Sequence, residues 1–208
     1  MIRRIALAAA VLMTIQGCAT MNEEECLVSD WHAVGFEDGA RGYTADRIAQ
    51  HRKACANHGV SPDLAAYRQG RKEGLRHYCT PQNGFNAGSS GAAYAGVCPQ
   101  DLAADFSRAY GEGRRLHDLR GRVRSADHRI ASLNRQVTGL EEQIDQNEQT
   151  IIADDTGNLE RARLLLEIKE LVDQRKDLRK QVERLEADRA VYQRELDDYR
   201  ETVAYNER

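Results

Sequence analysis

The sequence predicts an all-α protein in which a small, disulfide-stapled, glycine-rich helical domain is followed by a long antiparallel coiled-coil hairpin. Two observations support this fold class. Four cysteines and many closely spaced glycines lie in the first half of the mature chain. In the second half, apolar residues recur at alternating steps of three and four, which is typical of coiled coils. We place the helical domain at residues 26–113 and the hairpin at residues 114–208.

The first residues have the pattern of an export signal. Arg3 and Arg4 precede the apolar run Ile5–Ile15. This run is too short to cross a hydrocarbon core of roughly 30 Å as a helix, and a basic start followed by a short apolar run is typical of a cleaved signal peptide. We therefore predict a signal peptide at residues 1–17 and an N-terminal tether at residues 18–25.

The next residues, IQGCAT, resemble a bacterial lipobox. Ile15, Gly17 and Cys18 occupy its aliphatic, small and lipidated positions, whereas Gln16 departs from the usual pattern. The resemblance implies that Cys18 becomes the N-terminus and carries acyl chains, palmitate among them, and several chains on one residue give stable anchoring. Ala19, in place of an aspartate, implies sorting to the outer membrane, facing the periplasm. The alternative is ordinary cleavage after Ala19, which would leave a soluble secreted protein.

The remaining cysteines predict a disulfide framework, because an even number in an oxidising compartment normally pairs. These residues are Cys26, Cys55, Cys79 and Cys98. Three pairings are possible: 26 with 55 and 79 with 98, 26 with 79 and 55 with 98, or 26 with 98 and 55 with 79. We prefer the first because it is the most local. The domain has few large apolar side chains for its size, and domains with thin cores depend on covalent bonds.

Glycines in this domain follow aromatic residues at helical spacing. The series are Trp31 with Gly35, Gly39 and Gly42; Tyr67 with Gly70, Gly74 and Tyr78; Phe85 with Gly88, Gly91 and Tyr94; and Phe106 with Tyr110, Gly111 and Gly113. Each glycine costs a helix roughly 1 kcal/mol relative to alanine. We therefore expect a compensating close approach of another backbone. The alternative is that some glycines, especially Gly59 and Gly84, lie in turns next to Pro62 and Pro81.

Three segments carry a family resemblance. They are DWHAVGFEDGARGY, YRQGRKEGLRHYCTPQNGFNAGSSGAAYAGVCP and FSRAYGEGRRL. Together they resemble a family of Gram-negative lipoproteins known as domain of unknown function 2799, over about residues 26–116 and all four paired cysteines. The resemblance implies an envelope lipoprotein and contributes no activity.

The coiled-coil seam runs along two segments. The first comprises Leu116, Leu119, Val123, Ala126, Ile130, Leu133, Val137, Leu140, Ile144, Asn147 and Ile151, and the second Leu164, Ile168, Leu171, Arg175, Leu178, Val182, Leu185, Arg189, Tyr192, Leu196, Tyr199 and Val203. Between them, the sequence ADDTGN at residues 153–158 has no large apolar residue, and the heptad phase changes across it. A phase break at turn-forming residues predicts a helical hairpin with its turn near residues 153–158.

The charge pattern also favours a hairpin over one long helix that dimerises in parallel. Residues 114–135 are basic and residues 141–155 acidic, whereas the return segment is basic early and acidic late. Folding back near Thr156 places unlike charges together at both ends, while a parallel dimer would place like charges together. Two arginines of the second seam, at positions 175 and 189, then need acidic partners.

Acids such as Glu141 and Asp127 can serve as these partners across the hairpin. An arginine at a seam position can also carry its charged end out to water along its aliphatic stem. The prediction is therefore that Arg175 and Arg189 meet carboxylates of the first helix or reach solvent beside it.

The sequence does not match the catalytic motifs that it superficially resembles. We therefore predict no catalytic residue, no cofactor and no metal. Gly91-x4-Gly96 is followed by Val97 and Cys98, where a phosphate loop needs lysine and Ser/Thr. Gly88-Ser89-Ser90-Gly91 is not the G-x-S-x-G of a nucleophile elbow, and no strand pattern precedes it.

A zinc site is an alternative use of the cysteines. His51, Cys55 and His58 could lie near one helical face, with Cys26 or Cys79 completing a tetrahedral set. We prefer the disulfide interpretation, since Cys55 is needed for even pairing.

Charge and export exclude one class of partner. Without Arg3 and Arg4, the 30 basic residues become 28 against 33 acidic ones, a net charge of about −5. A nucleic-acid-binding protein needs a basic face and a basic total, so we expect no nucleic acid partner.

These observations favour a non-enzymatic scaffold, tether or assembly factor of the cell envelope, which contacts the membrane through its lipid and an envelope protein through its hairpin. The alternative is a periplasmic binding module, for example for peptidoglycan or another glycan, or an enzyme with its site in the glycine-rich domain. For a glycan ligand, Trp31, Tyr67 and the other aromatic residues of this domain would line the groove.

Overall fold

A computed structural model describes residues 21–206, with side chains through Val203. Within this range the chain forms seven α-helices and no β-strand, which confirms the predicted all-α class. The helices are α1 Glu23–Val28, α2 Trp31–Ala40, α3 Arg47–Ala56, α4 Leu64–Tyr78, α5 Pro81–Ser90, α6 Gln100–Ile152 and α7 Asn158–Asn206. Cys18 and the predicted signal peptide lie outside the described residues.

Several helices begin at capping residues encoded in the sequence. The Asn22 side chain accepts a hydrogen bond from the Glu25 amide at 2.9 Å, and the Glu25 carboxylate accepts one from the Asn22 amide at 2.8 Å. Asp63 likewise accepts hydrogen bonds from the first amides of α4. Such caps satisfy amides that have no partner inside the helix, so α1 and α4 start where the local sequence dictates.

The described chain divides into two compact units. The first comprises residues 21–80 and 95–105, and the second comprises residues 81–94 and 106–206. The limits at residues 113 and 114, drawn above from the change in sequence pattern, stay a prediction. Each unit is described by itself below.

The first unit is built on two parallel helices, α2 and α4, which pack closely because glycines of each helix face the backbone of the other. A Cβ atom added to Gly35 would lie 2.1 Å from the Tyr67 carbonyl oxygen, and one added to Gly70 would lie 1.9 Å from that of His32. Gly39 and Gly74 are equally close to the opposite backbone. Side chains larger than hydrogen cannot fit at these distances, so the expected close backbone approach is confirmed.

The second unit repeats this packing between α5 and the early part of α6. A Cβ atom on Gly88 would lie 2.2 Å from the Tyr110 carbonyl oxygen, and one on Gly113 would lie 2.2 Å from that of Phe85. Gly84 also lies inside α5, so the alternative that it is a turn residue is wrong. Gly59, by contrast, lies outside the helices with a φ of 69°.

Two disulfides lie in the first unit. Cys26 is joined to Cys55, and Cys79 is joined to Cys98, which is the most local of the three pairings. The first bond is fully buried in a small apolar cluster. The other buried members of this cluster are Met21, Trp31 and Tyr67. The bond thus holds α1 and α3 together where the apolar core alone is small.

The second unit contains the predicted hairpin. Helices α6 and α7 are joined by residues 153–157, within the predicted turn region. Every predicted seam residue of both helices is buried or half-buried. The most deeply buried of them are Leu116, Leu119, Val123, Ala126, Val137, Ile144, Leu164, Leu171, Val182 and Leu196. The hairpin therefore buries its own apolar seam.

Candidate functional site

Ion pairs between α6 and α7 fix the antiparallel register of the hairpin. Arg189 Nε lies 2.9 Å from Asp127 Oδ1, and Arg175 Nη1 lies 4.0 Å from Glu141 Oε1. The predicted partners of both seam arginines are therefore confirmed. Arg179 also contacts Glu141. Because these side chains are partly exposed, each pair contributes about 1 kcal/mol or less to stability, and its main effect is on register.

Aromatic residues of α7 add contacts close to the open end of the hairpin. The Tyr199 hydroxyl donates a hydrogen bond to the Glu112 carbonyl oxygen at 2.9 Å. The Arg115 guanidinium lies 4.6 Å from the centre of the Tyr199 ring, and that of Arg122 lies 4.1 Å from the Tyr192 ring. Cations over ring faces are attracted to them, so these contacts hold α7 to α6 near the open end of the hairpin.

At the other end, the turn is closed by one arginine. Arg161 donates hydrogen bonds to the carbonyl oxygens of Thr156, at 2.9 Å, and Ala153, at 2.8 Å. The Thr156 hydroxyl donates to the Thr150 carbonyl oxygen at 2.6 Å. Ala153 and Thr156 belong to the turn and Thr150 to the end of α6, so these bonds satisfy carbonyl groups where the regular helical pattern stops. The turn is thus specified by polar groups.

Beside this turn, apolar side chains remain exposed on the outside of the hairpin. Ile152 is 77% exposed and Leu165 58% exposed. Together with Ile151 and Ile168 they line an open groove of about 520 Å³, whose α6 wall also carries Asp145 and Glu148. Exposed apolar groups that cluster in this way mark interaction surfaces, and we call this region the tip groove.

Burial of the seam residues predicts that truncating them lowers the free energy of unfolding, and two valines of α7 test this. We expect Val182→Ala, at a site that is 8% exposed, to lower the free energy of unfolding by about 1.5 kcal/mol, because two buried methyl groups are lost. Val191→Ala on the same helix removes the same groups from a site that is 41% exposed, and it should change stability by about 0.5 kcal/mol or less. Urea unfolding followed by circular dichroism measures both. Equal losses would contradict the described seam.

The first unit holds a buried polar network that the sequence analysis missed. Asp38 Oδ2 accepts a hydrogen bond from the Tyr67 hydroxyl at 2.7 Å and lies 2.8 Å from His51 Nε2. All three side chains are buried. Each comes from a different helix, so the network joins α2, α3 and α4. No sequence signal marks Asp38, because acidic residues at helical positions are usually solvated.

Opposing effects set the pKa of Asp38. Burial alone raises the pKa of this carboxyl group, but the hydrogen bonds from His51 and Tyr67 outweigh burial, and the net pKa lies below its ordinary value. Burial, together with the hydrogen bond to Asp38, raises the pKa of the Tyr67 hydroxyl. Tyr67 therefore remains a proton donor and Asp38 a charged acceptor at neutral pH.

Low pH should therefore destabilise the first unit through Asp38. Its carboxyl group binds a proton more readily in the unfolded chain, so its stabilising effect is complete above pH about 4 and is lost as the pH falls below that value. We expect Asp38→Asn to remove part of the stability loss between pH 6 and pH 3, measured by urea unfolding at each pH. Glu37→Gln, which removes an exposed carboxylate at the neighbouring position, is the control, and it should lose more stability over this pH range than Asp38→Asn does. Identical pH profiles for wild type and Asp38→Asn would contradict this role.

A shallow cleft of about 440 Å³ lies over this network. Its lining carries both charge signs, with Glu25 and Glu37 among the acidic residues and Arg41 and Arg47 among the basic ones. Arg41 is already paired with Glu37, at 3.4 Å. The cleft thus has no strong excess of either charge and no convergent reactive group beyond the buried network.

The residues considered above for a zinc site or a glycan groove have structural roles in the first unit. Cys55, which a zinc site would need, is in a disulfide, and His51 contacts Asp38. Among residues 21–206, no cluster of three or more side chains suits a metal ion. Trp31 and Tyr67 pack in the core of the first unit, so neither of these two residues lines an open groove.

These features define a class of all-helical protein. Its described residues contain two disulfides, two pairs of helices that pack closely through glycines, and a helical hairpin with exposed apolar residues at its tip. Residues 30–115 match the family model described as a protein of unknown function, DUF2799. This segment is similar to that family, which confirms the resemblance found in the sequence. No curated protein and no solved structure matches the chain significantly. Within the described part of the chain, none of the helices combines the length and apolarity needed to cross a membrane.

Proposed function

We propose that the protein is an outer-membrane lipoprotein, facing the periplasm, that acts without catalysis as a scaffold, tether or assembly factor of the cell envelope. Acyl chains on Cys18 hold it in the membrane, and the hairpin binds an envelope protein. The residues around Cys18 support the anchor because they resemble a lipobox. The two disulfides are consistent with an oxidising compartment outside the cytoplasm.

The single observation that carries the scaffold role is the exposed apolar surface of a hairpin that is otherwise complete. The seam residues are covered by the partner helix, yet Ile152, Leu159 and Leu166 are exposed by more than half. The hairpin does not need these side chains for its own packing. Their exposure is costly in water and is expected where another protein covers them.

The anchor is tested by labelling. Cells that express the full-length chain are grown with labelled palmitate, and we expect the label in the purified protein. Cys18→Ser should lose the label while the protein is still exported and its disulfides still form. Absence of label from the wild-type protein would contradict lipidation and favour the secreted soluble form.

The hairpin role is tested by crosslinking in living cells. A photoreactive amino acid is placed at Leu166, on the exposed surface of α7, or at Lys53, on the exposed surface of α3 in the first unit. We expect a discrete protein adduct from position 166 and none from position 53. Adducts from position 53 alone would contradict the proposal and would favour a binding site in the first unit.

A further inference from the structure

We propose that the tip groove binds a helical segment of a partner protein that has an aliphatic ridge and a row of lysines or arginines beside it. This inference rests on the proposed scaffold role and deepens it, because it names the chemistry of the partner. The observations behind it are the shape of the groove, the excess of unpaired carboxylates around it and the internal use of the nearby arginines.

The shape of the groove favours a helix as the occupant. The groove runs between two antiparallel helices, with Ile151 and Ile152 contributed by α6 and Leu165 and Ile168 by α7. Side chains of a third helix can pack into such a groove as they do in helical bundles. A helix also satisfies its own backbone hydrogen bonds, so it can cover the apolar floor without burying unpaired amides.

The charge around the groove is strongly negative. Residues 136–160 contain seven carboxylates and no lysine or arginine. Asp145 and Glu148 stand on the α6 wall of the groove, and Asp154 and Asp155 follow in the turn. These four are exposed and form no ion pair within the described part of the chain. They are therefore available to a basic partner.

The two arginines that come first after the turn do not offset this charge, because both already have partners. Arg161 donates to carbonyl oxygens of the turn, and Arg163 pairs with Glu160 at 2.9 Å. Lys169 is exposed one helical turn beyond Leu165, on the α7 side. The carboxylates thus dominate the α6 wall, so the basic row of the partner should lie along α6.

The same charges disfavour two other occupants. A second copy that docked tip to tip would bring carboxylates against carboxylates, which opposes association. An anionic membrane surface would also repel the tip. A neutral apolar helix would fill the groove but would leave the carboxylates unpaired, and binding would then be independent of salt.

The test uses two synthetic helical peptides of about 20 residues, long enough to form helix in water. Both have the same leucine and isoleucine ridge, but one has lysines and the other glutamates beside it. Fluorescence anisotropy measures their binding to the full mature chain. We expect the lysine peptide to bind about tenfold more tightly or better, and its binding should weaken as salt is raised because exposed charges are screened.

Variants at exposed positions make the test specific to the groove. Asp145→Lys with Glu148→Lys should reverse the preference towards the glutamate peptide. Leu165→Asp should abolish binding of the lysine peptide without unfolding the hairpin, because Leu165 is already mostly exposed. Val191→Asp, at an exposed valine outside the groove, is the matched control and should bind like wild type.

Several results would overturn the inference. These are equal binding of the two peptides, binding unaffected by Leu165→Asp, and no binding of either peptide. Self-association in light scattering that Leu165→Asp abolishes would assign the groove to a second copy, and tip-dependent binding to phosphatidylglycerol vesicles would assign it to a membrane. Protein adducts from position 166 in cells, combined with failure of the lysine peptide, would leave the scaffold role standing and reject only the basic helix.

Discussion

Gly113→Ala is expected to lower the free energy of unfolding by about 3 kcal/mol, although alanine is the better helix former. A Cβ atom at this position would lie 2.2 Å from the Phe85 carbonyl oxygen and 2.7 Å from the Ser89 amide nitrogen. Both contacts are with backbone, which cannot rotate away as a side chain can. The backbone of α5 must then shift away from α6, and overpacking of this kind costs about 1–3 kcal/mol, occasionally more.

Gly111→Ala is the matched control, two residues earlier in the same helix. No atom lies within 4 Å of a Cβ built at Gly111. Alanine there should therefore raise the free energy of unfolding, by up to about 1 kcal/mol, through its better helix propensity. Urea unfolding of the two variants beside wild type measures the difference. If both variants gain stability, α5 does not pack on α6 as described.

Removal of the disulfide between Cys26 and Cys55 is expected to lower the free energy of unfolding by about 3 to 4 kcal/mol. The bond closes a separation of 29 residues, and a loop of this length gives that magnitude when the bond restricts the unfolded chain. Both sulfur atoms belong to residues that are almost fully buried, so replacement by serine also places hydroxyl groups in an apolar cluster. We expect Cys26→Ser with Cys55→Ser to be less stable than the oxidised wild-type protein in urea.

Reductant supplies the control for this prediction. The reduced wild-type protein loses both disulfides but carries no serine hydroxyl groups in the apolar cluster, so the reduced double variant should be no more stable than it. Adding reductant to the double variant should cost further stability through the bond between Cys79 and Cys98, which closes 19 residues. If oxidised wild type and the double variant unfold at the same urea concentration, the bond does not stabilise the first unit.

The hairpin was largely predictable from the sequence, because a coiled-coil seam is a local and repetitive signal. The two apolar series, the turn at residues 153–158 and the acidic partners of Arg175 and Arg189 all follow from spacing and charge. The outer surface was less predictable. Leu165 is not a seam residue, so the heptad pattern does not say what lies beside it. Its exposure next to Ile152 depends on how the two helices are rotated at the turn.

For the glycine-rich region, close packing of helices was predictable from the sequence, but the identity of the helix pairs was not. Glycines at helical spacing indicate that two backbones approach closely, since glycine otherwise weakens a helix. The spacing does not say which helices meet. The pairing of Gly35 with α4 and of Gly113 with α5 depends on contacts between residues far apart in the chain, for which the sequence offers no local marker.

The helical class, the cysteine framework and the coiled-coil seam could be read from the sequence alone, because each is a pattern of neighbouring residues or of a fixed period. The parallel glycine pairs, the buried contact of Asp38 with His51 and Tyr67, and the exposed groove at the hairpin tip become visible only in the folded chain. These features depend on which surfaces of distant helices face each other, and burial, the main determinant of their energies, is set only when those helices pack.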